Sequence, residues 1–202
     1  MLKFVRYAAW ALVLIVGFVS TSILMGWWMS DHSRTERPVA IGGAFSLTDH
    51  TGKAVTDADF RGSPLAVFFG FTHCPEVCPT TLFELDGWLS KVDPDGSKLQ
   101  AYFVTVDPER DTPELVGQYV GNVSKRITGI SGDPAKVLEM AKGFRVYYRK
   151  VPLDEAKPDG DYTMDHTASV YLLDANGRFT GTIAYGENPE VAEQKLANLI
   201  KR

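Results

Sequence analysis

A continuous apolar run over residues 64–71 is the feature that most narrows the fold of this chain. A run of that kind, without polar alternation, is typical of a strand buried on both faces of a sheet. A second run covers residues 99–106. Between the two, residues 80–92 carry apolar side chains three and four positions apart, which predicts a helix that Thr80 or Thr81 caps. Buried strands joined by helices indicate an α/β fold.

The rest of the chain continues this alternation. A hairpin is predicted over residues 45–56, around a turn that contains glycine, and another around residues 174–177. Further helices are expected over residues 113–120, 133–144 and 190–200, and further extended segments over residues 127–130, 146–151, 168–173 and 179–184. This order predicts a mixed sheet of the thioredoxin-like type with an added N-terminal β-hairpin.

The N-terminal segment differs from everything after it. Residues 7–29 carry no charge, and aromatic side chains lie at both ends of the stretch. A helix needs about 20 mainly apolar residues to cross a bilayer, and amphipathic aromatics favour its two interfaces. We therefore expect one transmembrane helix in residues 1–29, a polar linker at 30–38 and a folded domain at 39–202.

The flanking charges predict an orientation. Lys3 and Arg6 precede the apolar stretch and should stay in the cytoplasm. Because no long Arg- and Ser-rich presequence comes before them, we expect a single-pass protein of the bacterial inner membrane, with its soluble domain in the periplasm. The alternative is a cleaved signal peptide, but residues 25–29 are bulky where a cleavage site would be small. The net charge of −4 argues against a nucleic-acid partner.

The two cysteines of the chain lie four positions apart, where the first buried strand meets the first helix. Chemistry collects at the carboxyl ends of such strands, and a helix N-terminus stabilises a thiolate. On a helix, Cys74 and Cys78 would share a face and act as a chelate. They could also form a disulfide if the first turn is loose, or simply pack in the core.

Histidine is the common third donor beside two thiolates, and the chain has four. We expect His32 to lie in the linker and His50 on the surface. His73 is adjacent to Cys74, so its side chain should point away from that sulfur, and it is a weaker candidate, either as a ligand or as a group that lowers a thiol pKa. His166 precedes a predicted strand at the place where thioredoxin-like enzymes carry a cis-proline against the cysteines, and it is the favoured third ligand. The alternative for His166 is a hydrogen-bonded loop histidine.

Two cysteines and one histidine form a soft donor set. Thiolates select Cu(I), the imidazole also tolerates Cu(II), and zinc usually takes a fourth ligand. One copper ion per chain, Cu(I) or Cu(II), is therefore the expected cargo. An open site of three ligands suits a carrier that must release its metal.

The chain resembles the SCO/SenC family of copper chaperones for cytochrome c oxidase assembly. The matching segments are residues 42–45, 68–79, 106–113 and 165–166. The resemblance implies that Cys74, Cys78 and His166 bind copper. It also implies an upstream copper donor, and either delivery of copper to the binuclear copper centre of cytochrome c oxidase subunit II or reduction of that site by the thiols of this chain.

Residues 107–111, Asp-Pro-Glu-Arg-Asp, follow the second buried strand on the edge that carries the cysteines. The simpler interpretation is a loop held by its own hydrogen bonds and an Asp–Arg pair. A docking loop, or one that supports the metal ligands from outside, is the alternative.

Three functions remain at this stage. A metal carrier that is not an enzyme is favoured. An extracytoplasmic thiol–disulfide reductase would use the same Cys74 and Cys78, and it could act on the same target. A thiol peroxidase would need one attacking and one resolving cysteine. Only the carrier requires His166.

Overall fold

The computed structural model describes residues 2–32, 41–157 and 159–201. The chain divides into two compact units, Met1–Val39 and Ala40–Arg202. The helices are α1 (Leu2–His32), α2 (Val77–Val92), α3 (Pro113–Gly121), α4 (Pro134–Gly143) and α5 (Pro189–Ile200). The strands are β1 (Ser46–Asp49), β2 (Ala54–Thr56), β3 (Leu65–Gly70), β4 (Gln100–Thr105), β5 (Ile127–Ser131), β6 (Tyr148–Pro152), β7 (Tyr162–His166), β8 (Ser169–Leu173) and β9 (Phe179–Ala184).

The first unit contains helix α1. The expected helix is confirmed, and it extends into the predicted linker as far as His32. Among the described residues, no helix combines the length and the hydropathy needed to cross a membrane, so the predicted transmembrane helix is not supported. The rest of the predicted linker, from residue 33, lies outside the described residues. The predicted domain boundaries stay a prediction.

The second unit is an α/β domain around a mixed sheet. Within the described residues its strands run in the order β2-β1-β5-β4-β3-β8-β9. Strands β3, β4 and β5 are parallel, whereas β1 joins β5, and β8 joins β3, in antiparallel fashion. The predicted thioredoxin-like α/β class is confirmed, and so is the added hairpin, which is β1 and β2.

The burial of β3 agrees with its position near the middle of the sheet. Every residue of β3 is buried, and Phe68, Phe69 and Phe71 are at most 1% exposed. Polar alternation is absent because both faces of the strand are covered. Helices α2 and α5 pack against each other, and α3 packs against β5.

The register of β3 and β4 positions the functional loops. Gly70 pairs with Thr105 at the carboxyl ends of the two strands, and the Val106 N–H donates to the Gly70 carbonyl at 2.8 Å. The chain segments that follow these strands therefore leave the sheet side by side. One carries the cysteines and the other is the 107–111 loop.

Strands β6 and β7 form a separate two-stranded antiparallel sheet, in which Tyr148 pairs with His166. The sequence predicted β6 as an extended segment and placed His166 in a loop. His166 is instead the last residue of β7, so the loop assignment was wrong. This hairpin leads directly into β8.

Candidate metal centre

The two cysteines lie on either side of the start of α2. Cys74 belongs to the turn after β3, and its N–H donates to the Phe71 carbonyl at 3.3 Å. Cys78 is the second residue of α2 and is fully buried, while Cys74 is half-buried. Both thiols are free. The expectation that a shared helix face brings them together was therefore wrong, because Cys74 precedes the helix.

A sulfur replaces the usual cap of this helix. The predicted caps Thr80 and Thr81 lie inside α2, and the residue at the cap position, Glu76, makes no side-chain cap bond. The Cys74 Sγ instead accepts the backbone N–H of Cys78 at 3.3 Å. One of the free N–H groups that every helix start presents is thus satisfied by a thiol.

Space for the buried thiol depends on Gly70. A Cβ at this position would lie 2.7 Å from the Cys78 Sγ and 2.8 Å from the Phe103 ring, which is closer than real contacts allow. The absence of a side chain at the end of β3 therefore creates the niche that Cys78 fills.

The imidazole of His166 faces the thiols with its Nε2 atom. Its Nε2 lies 3.5 Å from the Cys78 Sγ, and its Nδ1 lies 3.1 Å from the Thr167 carbonyl. Because a carbonyl only accepts, we assign the proton to Nδ1, which leaves the Nε2 lone pair toward the sulfurs. The rings of Phe68 and Phe71 stand edge to face with the imidazole, with centroids 6.2 and 5.7 Å away.

The three predicted ligands meet at one point. The donor atoms of Cys74, Cys78 and His166 all lie within 4.8 Å of one another. Two sulfurs and one imidazole nitrogen at this separation can converge on a single soft metal ion. The predicted convergence of these residues is therefore observed, while their role as ligands stays a prediction.

The two thiols differ in pKa. Hydrogen bonding from the Cys78 side chain, helped by the N–H groups of Cys78 and Glu76, lowers the pKa of Cys74 to about 4 against the opposing effect of burial. The neighbouring Cys74 and burial raise the pKa of Cys78 above its ordinary value. One thiolate and one thiol thus share the site at neutral pH.

The other histidines lie apart from this cluster. His73 is half-exposed, and its Nδ1 lies 3.0 Å from the Thr72 hydroxyl. His50 is half-buried, where a surface position was expected, and its Nδ1 accepts the Gly129 N–H at 3.1 Å. His32 ends α1.

The 107–111 loop supports the cysteine turn through Asp111, which is fully buried. Its carboxylate accepts the Thr72 N–H at 2.9 Å, the Thr72 hydroxyl at 2.6 Å and the Thr105 hydroxyl at 2.6 Å. Sequence reasoning did not single out Thr72, whose partner lies 39 positions away.

The same loop also contains the predicted Asp–Arg pair. The Arg110 Nε donates to Asp107 at 2.5 Å. The loop reaches further than that local pair, because Asp107 also accepts the Tyr162 hydroxyl at 2.8 Å. Tyr162 opens β7 and was not among the residues predicted from sequence.

Comparison with known families decides the relationship. The SCO1/SenC family model matches residues 33–201. The chain belongs to the SCO1/SenC family. Among curated SCO proteins, the chain is 40% identical to "Protein SCO1 homolog, mitochondrial" of Homo sapiens over 158 residues. The match covers 76% of this chain and 50% of the human protein, so the chain spans about half the length of that relative.

Solved SCO structures share the domain fold. ScoI of Bradyrhizobium japonicum, solved with copper bound, is 47% identical with a TM-score of 0.72, and the match covers 79% of this chain and 99% of that one. Yeast Sco1 with copper bound is 31% identical with a TM-score of 0.72, covering 80% and 89%. Those two SCO proteins hold copper.

Proposed function

We propose that this chain binds one copper ion through Cys74, Cys78 and His166 and carries it as cargo. The observation that carries the proposal is the convergence of the three donor atoms within 4.8 Å. Two sulfur ligands suit Cu(I), and the imidazole extends the range to Cu(II). Family membership and the copper-bound relatives support this choice of metal.

The acceptor we propose is the binuclear copper centre of cytochrome c oxidase subunit II. Support comes from family membership, since one solved relative, BsSco, is described as a member of the Sco family of cytochrome c oxidase assembly proteins. Cys74 is the more exposed member of the thiol pair, so an incoming acceptor thiolate would reach the copper from that side and displace Cys74 first.

Copper titration of the full chain, reduced and without oxygen, tests the carrier. We expect about one tightly bound copper per chain, and much weaker binding in Cys74→Ala, Cys78→Ala and His166→Ala, because each loses one of three ligands. His73→Ala is the matched control, since His73 neighbours Cys74 but lies outside the cluster. Full stoichiometry and affinity in either cysteine variant, or no tight copper in the wild type, would contradict the proposal.

A thiol–disulfide reductase is the second candidate, because two free thiols meet at a helix start with one of them partly exposed. The Cys74 thiolate would attack a target disulfide and form a mixed disulfide, releasing one target thiolate. Cys78, after losing its proton, would then attack the Cys74 sulfur. The products are a Cys74–Cys78 disulfide and a target dithiol, so two electrons pass to the target.

His166→Ala separates the two functions. Copper transport needs the imidazole, whereas thiol exchange needs only the two sulfurs. We expect His166→Ala to lose tight copper binding while it still reduces a small disulfide such as oxidised glutathione. If exchange is rapid and wild-type copper binding is weak, the reductase is the main function.

We also propose that the protein is anchored in a bacterial inner membrane with its domain in the periplasm. The uncharged stretch over residues 7–29 supports this, as do the exposed large apolar side chains of α1, which include Phe4, Leu14 and Phe18. Two experiments test this. Cell fractionation shows whether the protein stays with the membrane, and protease treatment of intact spheroplasts shows whether its domain faces the periplasm. Recovery in the soluble fraction, or protection of the domain from protease, would reject the anchor or its orientation.

A further inference from the structure

A single short loop contacts both segments that supply the donor atoms. Asp111, at its end, binds Thr72 in the turn that leads to Cys74. Arg110 binds Tyr162, at the start of the strand that ends in His166. The cysteine turn and the histidine strand are far apart in the chain, so this loop joins them outside the donor cluster itself.

Within the 107–111 loop, Arg110 contacts β7 at Tyr162. Its Nη1 donates to the Tyr162 carbonyl at 2.8 Å, and its Cζ lies 3.7 Å from the centroid of the Tyr162 ring. Its Nε donates to Asp107, which in turn accepts the Tyr162 hydroxyl. Tyr162 is therefore held at its backbone, its ring face and its hydroxyl. A planar guanidinium makes such a combined contact, and an ammonium does not.

The histidine strand needs this support. Strands β6 and β7 pair only with each other in the described residues, and a two-stranded sheet is marginally stable by itself. Met164 packs into the core from the middle of β7. Arg110 adds a second fixed point at the start of the strand, four residues before His166. The start of β7 is thus fixed by Arg110, while its end is fixed by the pairing of His166 with Tyr148 and by the entry into β8.

We propose that Arg110 is a positioning residue for His166, which it holds against the two thiols by clamping Tyr162. The inference rests on the proposed function, because His166 matters as a copper ligand. The contact between Arg110 and Tyr162 is nevertheless a property of the metal-free protein. Arg110 touches no donor atom. It acts through the strand that carries one of them.

The first test uses the metal-free, reduced full chain. In the wild type, the ring protons of His166 are shifted in NMR spectra because the Phe68 and Phe71 rings stand beside the imidazole. Arg110→Gln should move these signals toward the values of a solvated histidine, because glutamine cannot hold both Asp107 and Tyr162. His166→Ala identifies the signals. Unchanged His166 shifts in Arg110→Gln would overturn the proposal, whether or not the protein binds copper.

The second test adds copper alone as the probe. Substitution of a residue that orients a ligand typically weakens metal binding roughly 10–100-fold. We expect Arg110→Gln to fall in this range, with loss of the imidazole nitrogen coupling in the Cu(II) electron paramagnetic resonance spectrum. The double variant with His166→Ala should be no weaker than His166→Ala alone, since Arg110 acts through that side chain. Additive losses would overturn the proposal.

Two further variants separate positioning from general stability. Arg126→Gln removes a comparable ion pair, since Arg126 binds the buried Asp93 and is 23% exposed, against 25% for Arg110. It should leave both the His166 shifts and the copper spectrum unchanged. Arg110→Lys should restore them only in part. If wild-type protein binds no copper, the proposed function fails, while the ring shifts still decide the clamp.

Discussion

The Cys74 sulfur accepts the backbone N–H of Cys78 across 3.3 Å, so one thiol caps the helix that carries the other. Because the helix start presents positive partial charge, it favours the thiolate form of the sulfur that caps it. The pair is therefore unequal before any metal arrives. Cys74 is the more exposed and more acidic thiol, and Cys78 is buried and retains its proton.

The rates at which the two cysteines are alkylated should reveal the difference between their pKa values. The pKa of Cys74 is lowered to about 4 from an ordinary 9.0, so the thiolate exists above about pH 4 and is lost as the pH falls through that value. In metal-free, reduced protein, iodoacetamide should modify Cys74 readily near pH 6 and leave Cys78 unmodified. Mass spectrometry of the peptides measures both rates against pH. A midpoint for Cys74 near that of an ordinary thiol would contradict this expectation.

Gly70→Ala should damage the cysteine niche. The added methyl would meet the Cys78 Sγ at 2.7 Å, and overpacking of this kind typically costs about 1–3 kcal/mol of unfolding free energy. Urea unfolding measures the loss. Gly87→Ala is the control, because a Cβ there has no neighbour within 4 Å and alanine favours a helix. Equal stability of the two variants would show that the niche adapts.

Asp111→Asn should loosen the cysteine turn. The carboxylate accepts three bonds from Thr72 and Thr105, and asparagine offers one neutral acceptor oxygen where the carboxylate offers two charged ones. An unmet buried group costs about 1–3 kcal/mol, so the metal-free protein should melt at a lower temperature. Asp133→Asn is the control, since Asp133 caps α4 and asparagine caps equally well. A melting temperature as high as that of the control would refute this role.

The tautomer of His166 is a fourth testable feature. The bond from Nδ1 to the Thr167 carbonyl predicts that neutral His166 carries its proton on Nδ1 and leaves Nε2 free toward the thiols. Long-range nitrogen–proton NMR spectra of the metal-free protein distinguish the two tautomers. Protonated Nε2 in the neutral ring would contradict the assigned geometry.

Much of the fold was predictable because its signals are local. The uninterrupted apolar run of β3 and the asparagine–glycine turn before β9 need no distant partner to be recognised. An aspartate directly before a proline that opens a helix is also a local signal, and the Asp133 side chain caps α4 by accepting two N–H groups. The cap of α2 was missed because rules for capping look for oxygen, and here a sulfur accepts the bond.

Strand β7 was missed for a different reason. Its five residues mix polar and apolar side chains, only Met164 among them is buried, and its sole described strand partner is β6. No periodic pattern arises from such a strand. The placement of His166 beside the cysteines was still predictable, since it depended on the order of elements and not on this local assignment.

The sequence predicted only one of the two contacts by which Arg110 in the 107–111 loop is held. The Asp107–Arg110 pair is local and was expected. The bond from Arg110 to Tyr162 joins residues 52 positions apart, and only the folded chain brings them together. Support from outside a site depends on tertiary contacts of this kind, which spacing along the chain does not reveal.

The contact between Cys78 and His166 joins residues 88 positions apart. A metal ion held by both would link distant parts of the chain, but unlike a disulfide it would leave when the chain unfolds. Its stabilising effect grows with metal concentration, because only the folded chain presents the complete donor set. The same ion would then serve as a removable crosslink, and a protein that hands over its cargo would also give up part of its own resistance to unfolding.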